Sequence, residues 1–227
     1  MRTSIFNARA ARLATLLIPL AAAGANAQNT YTLVDLGGLG YVSNAFALAN
    51  ADSLFAAGAF HGITDFHFNA FLAADAPTPL LPAETRAQGV AFDVTATGVV
   101  LGVTYNVGDI DVHGFLDDGV TQTDLGAFSP RAINASGTIA GTVNVATTGF
   151  GGLFMPRACR YADATIQVLP TLGGSSAMGL TIDDAGRVAG SAMNANDAAS
   201  RPCLWVGAIA SDLGTLGGAM GQVYHLR

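Results

Sequence analysis

The chain has no lysine and a single glutamate, Glu84. Only 11% of its 227 residues are charged, ten of them arginine and 16 acidic. Nucleic acids and anionic membrane surfaces call for a concentrated basic face, so this balance predicts no nucleic-acid partner. Diffuse acidity serves solubility and identifies no positive partner. Charge is also too sparse for long solvated helices, whose outer faces carry it. After residue 27 no apolar run approaches the roughly 20 residues of a bilayer-spanning helix, which predicts no membrane span in the mature chain. With two cysteines, Cys159 and Cys203, there is no disulfide framework of the kind that staples small secreted domains. What abounds is glycine, 28 residues, in a chain that is 51% hydrophobic. Such a composition suits strands buried on both faces and joined by glycine turns.

Residues 1–27 read as a signal peptide. Arg2, Arg9 and Arg12 precede the apolar stretch Leu13 to Ala23, and Ala25-Asn26-Ala27 offers a small-x-small cleavage pattern. An uncleaved anchor is the alternative, but the apolar run is short for a bilayer. The mature chain is then expected to start at Gln28, in an extracellular or periplasmic location. Losing three arginines leaves seven against 16 acidic residues, a net charge of −9. Residues 28–227 amount to one domain.

A short phrase organises that domain. It reads Leu-Pro-Thr-Leu-Gly-Gly at 169–174 and Leu-Gly-Thr-Leu-Gly-Gly at 213–218, with a looser Asp-Leu-Gly-Gly-Leu-Gly at 35–40. Leu81, Leu125, Leu169 and Leu213 are spaced by 44 residues, and so are Phe71, Phe115, Cys159 and Cys203. Two series with one interval define a repeat. The units are drawn at 31–76, 77–119, 120–164 and 165–208, with a partial fifth at 209–227.

Each unit holds about four strand-like segments. Leu101–Gly108 alternates, with Leu101, Val103, Tyr105 and Val107 predicted on one face. A turn phrase recurs as Leu-Ala-Asn-Ala-Asp-Ser at 48–53, Val-Thr-Ala-Thr-Gly at 94–98, Ile-Asn-Ala-Ser-Gly at 133–137 and Ile-Asp-Asp-Ala-Gly at 182–186. Asn or Asp opening a turn, with Gly where φ is positive, is hairpin chemistry. Asp117-Asp118-Gly119 signals a further hairpin between His113–Leu116 and Val120–Leu125. The fourth segment reads Asn-Ala-Phe-Leu at 69–72, His-Gly-Phe-Leu at 113–116, Arg-Ala-Cys-Arg-Tyr at 157–161 and Arg-Pro-Cys-Leu-Trp at 201–205.

Here the chain resembles the HAF family of extracellular repeat proteins. In that family a His-Ala-Phe phrase alternates with Asp-Leu-Gly-Thr-Leu-Gly-Gly and an Ile-Asn-x-x-Gly-x-Val-x-Gly turn. Asp212–Gly218 matches the first phrase and Ile133–Gly141 the turn; only His113 keeps the histidine, and Cys159 and Cys203 replace phenylalanine. The resemblance runs from about residue 30 to the end. It implies a repeat architecture and export, and it implies no catalytic or binding residue.

Four strands in 44 residues is the blade length of a β-propeller, so the expected fold is all-β, a propeller-like and incomplete array. The alternative is a parallel β-solenoid. The partial fifth unit supplies the Leu-Gly-Gly phrase and the start of a second strand, Gln222–Leu226, as in the N-terminal piece of a longer propeller. That arrangement leaves a last sheet face and strand edge exposed.

No residue is assigned a catalytic, cofactor-binding or metal-binding role. Packed sheets lie about 10 Å apart, whereas a disulfide needs Cα atoms within about 7 Å. Cys159 and Cys203 are therefore expected as buried, unpaired thiols; stacked solenoid coils would let them close. His61, Asp65 and His67 could bind zinc, but their spacing reads as a surface loop. Asp109, Asp111 and His113 lack the closing acidic residue of a calcium loop. Ser175 in Gly-Gly-Ser-Ser-Ala lacks the last glycine of a nucleophile elbow and belongs to the repeat phrase. The glycine pairs could cradle an anion, but no helix or lysine follows them. Trp205 and Tyr161 fall at the repeat's aromatic position. The reading is a secreted, non-catalytic scaffold with an extracellular ligand or surface partner. Alternatives are a fragment of a propeller-type carbohydrate-active enzyme, which needs paired carboxylates, or a structural extracellular array.

Overall fold

A computed structural model of the protein describes residues 42–48, 56–61, 68–73, 77–80, 88–105, 112–146 and 153–226. The leader, the phrase at 35–40, the turn after Leu48, Asp65, His67, Leu81, Glu84, Asp109 and Asp111 lie outside these residues.

The described chain is all-β, built as four successive four-stranded sheets, each a meander in sequence order. Sheet one is β1 (Val42–Leu48), β2 (Ala56–His61), β3 (Phe68–Ala73) and β4 (Pro77–Pro79). Sheet two is β5 (Gln88–Val94), β6 (Val100–Tyr105), β7 (His113–Asp117) and β8 (Gln122–Gly126). Sheet three is β9 (Ser129–Ile133), β10 (Ile139–Ala146), β11 (Phe154–Ala162) and β12 (Thr165–Val168). Sheet four is β13 (Gly173–Ile182), β14 (Val188–Asn194), β15 (Ser200–Val206) and β16 (Ile209–Asp212). Every strand pairs antiparallel, and only with strands of its own sheet. A parallel solenoid, which pairs coil to coil, does not describe this arrangement.

The 44-residue interval survives in the sheets, but in a different phase. The units drawn at 77–119, 120–164 and 165–208 each open on the fourth strand of one sheet and take three strands of the next. Residues 209–227 therefore supply β16, which completes sheet four, and Gln222–Leu226 forms no strand. The leucine series shifts too. Leu80 N donates to Ala70 O at 2.8 Å, as Leu169 N does to Ala158 O at 2.8 Å and Leu213 N to Pro202 O at 2.9 Å. Leu80, not Leu81, is thus the member in sheet one, because its β3–β4 connection is one residue shorter: Phe71 pairs with Pro79, but Cys159 with Val168.

The sheets pack in order. β5 lies across β1, β2 and β3, then β9 across β5, β6 and β7, and β13 across β9, β10 and β11. Neighbouring residues of a strand point to opposite faces, and both faces of an inner sheet are covered. In β6, Val100 joins the core with Ala57, Ala70 and Phe115, while Leu101 joins Leu125, Phe128 and Cys159. Both faces of this strand are therefore buried, as the apolar, glycine-rich composition predicts.

A β-bulge recurs at one place. The first strand of every sheet slips its register opposite the second, so that Phe46, Phe92, Arg131 and Leu180 are the extra residues. The bulge sits beside Gly58, Gly102, Gly141 or Gly190, and the backbones close in there. A methyl group on Gly141 would stand 2.5 Å from Ser129 O.

Both cysteines are buried and free. Cys159 packs between sheets two and three and Cys203 between sheets three and four, with sheet three separating them. Burial pushes the Cys159 thiol up to about 12. It pushes Cys203 to about 11, opposed by a backbone hydrogen bond with Ser211.

Candidate binding cleft

The turn phrases build one construction three times, at the β5–β6, β9–β10 and β13–β14 connections. The opening residue is Thr95, Asn134 or Asp183. Its N–H donates to the carbonyl four residues on, of Val99, Thr138 or Arg187, at 2.9, 3.0 and 3.1 Å. Its own carbonyl accepts from Gly98, Gly137 or Gly186 at 3.0, 3.0 and 2.9 Å. Its side-chain oxygen accepts from the N–H of Val99 at 3.1 Å, Thr138 at 2.9 Å or Arg187 at 2.8 Å. The glycines have φ of 85, 80 and 75°, where a side chain would be strained. Hydroxyl, amide and carboxylate serve equally because the turn needs only a short acceptor.

Successive turns are also tied to each other. Asp93 Oδ2 accepts from Ile133 N at 2.8 Å, linking sheets two and three. Asn134 Nδ2 donates to Asp183 O at 2.9 Å, and Ala135 N to Asp184 Oδ1 at 3.1 Å, linking sheets three and four. Together the turns frame a cleft of about 650 Å³ lined by Val94 to Ala96, Ile133 to Ala135 and Ile182 to Ala185. Arg187, His225 and Leu226 complete the lining.

Its charged groups are largely committed. Arg187 Nε lies 2.5 Å from Asp183 Oδ2. Burial works against the Asp183 anion, but the N–H and guanidinium of Arg187 outweigh it and hold the carboxyl below its ordinary value. Behind the rim, burial raises Asp93, and the N–H donors of Ile133 and Val94 oppose it. The cleft therefore presents a standing carboxylate, a guanidinium partly open to solvent and three sets of turn amides and methyls.

The residues singled out on the sequence lie elsewhere. His113 Nδ1 sits 2.9 Å from Asp124 Oδ2, the pair that Arg201 and Asp212 repeat at 3.1 Å in sheet four. Ser175 lends its backbone N–H to Asp197 Oδ1 at 2.6 Å, a structural role. Trp205 is buried, with Nε1 donating to Pro170 O at 2.7 Å. Tyr161 stacks on Phe128 with ring centroids 5.5 Å apart. Of the two metal readings, the described residues include only His61, on β2, and His113. Among the described residues no three metal-ligating side chains gather. The cleft joins phrases that were legible one by one; no spacing in the sequence says that they converge. No helix among the described residues is long and apolar enough to cross a membrane. The chain matches no family model, no curated protein and no solved structure.

Proposed function

We propose that the protein is an exported, non-catalytic scaffold of the HAF-repeat kind. Its sheets are set as propeller blades, and an extracellular ligand is received in the turn-framed cleft. The observation that carries this reading is the cleft itself, where three equivalent turns from consecutive sheets present polar backbone around 650 Å³. Its size is that of small-molecule sites. The order of packing supports blades, since each first strand lies across the three inner strands before it. The leader supports export. Asp183 and Asp184 in one cleft favour the carbohydrate-active alternative, yet Asp183 is held as an anion by Arg187 and Asp184 accepts from Ala135. Asp183, held as an anion by Arg187, does not resemble a proton donor.

The test is binding to immobilised cell-surface glycans, comparing the protein with an Ala185→Trp variant. This substitution fills the cleft and leaves the turn's hydrogen-bonding side chains in place. Binding that falls at least tenfold in the variant is expected. Equal binding would move the site elsewhere, and release of reducing sugar from the same glycans would make the protein an enzyme.

A further inference from the structure

Two side chains tie the turn of sheet three to the turn of sheet four. Asn134 Nδ2 donates to Asp183 O at 2.9 Å, and Asp184 Oδ1 accepts from Ala135 N at 3.1 Å. The turns of sheets two and three hold the equivalent backbone groups, Ala96 N and Asn134 O, but not those side chains. Thr95 stands at the place of Asn134, and Ala135 at the place of Asp184. Ala135 has no acceptor to offer Ala96. The Thr95 hydroxyl is engaged within its own turn, by Val99 N at 3.1 Å and Thr97 Oγ1 at 2.9 Å. Among the described residues no group accepts from Ala96 N. Asn134 O accepts from Gly137 N at 3.0 Å; a carbonyl has two lone pairs, and no side chain from the turn of sheet two reaches the second.

An N–H and a carbonyl facing one ligand are the complement of a secondary amide, whose carbonyl accepts and whose N–H donates. One interval further on, the molecule answers the same two groups with an amide N–H and a carboxylate oxygen of its own. We propose, resting on the reading of the cleft as a ligand site, that the turns of sheets two and three receive the acetamido group of an N-acetylated sugar. Its carbonyl accepts from Ala96 N and its N–H donates to Asn134 O. Ala96 and Ala135 line the cleft with methyl groups, which suit an acetyl methyl. An amide is neutral, so it adds no like charge beside Asp183 and Asp184, as a ligand carboxylate would. A peptide also carries amides, but an extended chain is recognised through a row of main-chain bonds, and here there is a single pair. The Arg187 guanidinium and the Asp184 carboxylate in the same cleft suit the hydroxyls of a sugar.

The experiment is titration calorimetry with tri-N-acetylchitotriose and with cellotriose, which carries a hydroxyl in place of each acetamido group. The protein is compared with Ala135→Asp, and with Ala135→Asp combined with Thr95→Asn. These substitutions place between sheets two and three the side chains that tie sheets three and four. The acetylated trisaccharide should bind at least tenfold more tightly than cellotriose, and that preference should disappear in both variants with an unchanged circular dichroism spectrum. A variant that misfolds is set aside and the other decides. Equal affinity for the two sugars, both lost on Ala185→Trp, would overturn the proposal and keep the cleft as a site. Binding of neither sugar would also overturn it, and the comparison on immobilised glycans then judges the cleft by itself. A preference that survives in a folded variant would place acetamido recognition elsewhere. Tighter binding of N-acetyl-trialanine methylamide than of the trisaccharide would replace the sugar by a peptide.

Discussion

The guanidinium of Arg131 lies 4.2 Å from the centre of the Phe92 ring. Both are bulge residues, the one extra position in the first strands of sheets three and two. The bulge thus does more than bend a strand: it brings the same position of successive sheets into contact. A cation over an aromatic face at a partly exposed site contributes about 0.5–1 kcal/mol. A double-mutant cycle with Arg131→Gln and Phe92→Leu, followed by chemical denaturation, should return a coupling of that size. A coupling indistinguishable from zero would leave the contact without energetic weight.

Arg160 is the odd member of its series. Leu72, Leu116 and Leu204 stand at the equivalent places, and the buried Nε of Arg160 has no hydrogen-bond partner. An unsatisfied buried donor is costly, so Arg160→Leu should raise stability by about 1 kcal/mol. An unfolding midpoint lowered by the substitution would contradict this.

The thiols should be inert in the native state. With Cys159 pushed up to about 12 and Cys203 to about 11, neither forms the thiolate that attacks an alkylating reagent near neutral pH. Both should label only as the protein unfolds, at a rate that follows the denaturant. Rapid labelling of either one in buffer would place it outside the core.

Acid should weaken the cleft through Asp183. Its folded carboxyl is held below the ordinary value, so folding favours the anion. That stabilisation is complete above the ordinary value of about 4 and is lost as pH falls through the folded value. Asn134 already fills the equivalent turn with a neutral amide. Asp183→Asn should therefore fold, be less stable than the parent at pH 7, and lose that difference progressively as pH falls below the ordinary carboxylate value and through the folded one. A gap that stays constant with pH would assign the effect to shape rather than charge.

The period was legible because it is written in side chains with fixed local duties. In the Asp-Leu-Gly phrase, Asp124 Oδ1 accepts from Gly126 N and Asp212 Oδ1 from Gly214 N, both at 2.7 Å. The Thr-Leu-Gly-Gly that follows has Thr171 and Thr215 donating to the carbonyls of Gly174 and Gly218. Such bonds span two or three residues, so spacing alone reveals them. The phase was not legible, because a period is the same wherever a unit is taken to start. Nor were the bulges. Phe46, Phe92, Arg131 and Leu180 share no common residue type across the series and fall at intervals of 46, 39 and 49, since the connections between sheets differ in length. The cleft depends on that hidden alignment, and for that reason its three turns could be found in the sequence but not brought together.

The meander order has a consequence for how the chain comes into being. Each sheet is complete within one repeat length, and its pairings are all between strands adjacent in sequence. Synthesis at about 5–20 residues per second delivers such a unit every few seconds, while a hairpin forms in about 1–10 µs. A sheet therefore finishes long before its successor exists. The newest leucine of the series stays wet until the next first strand arrives to cover it, and each finished sheet is the template on which the next one settles.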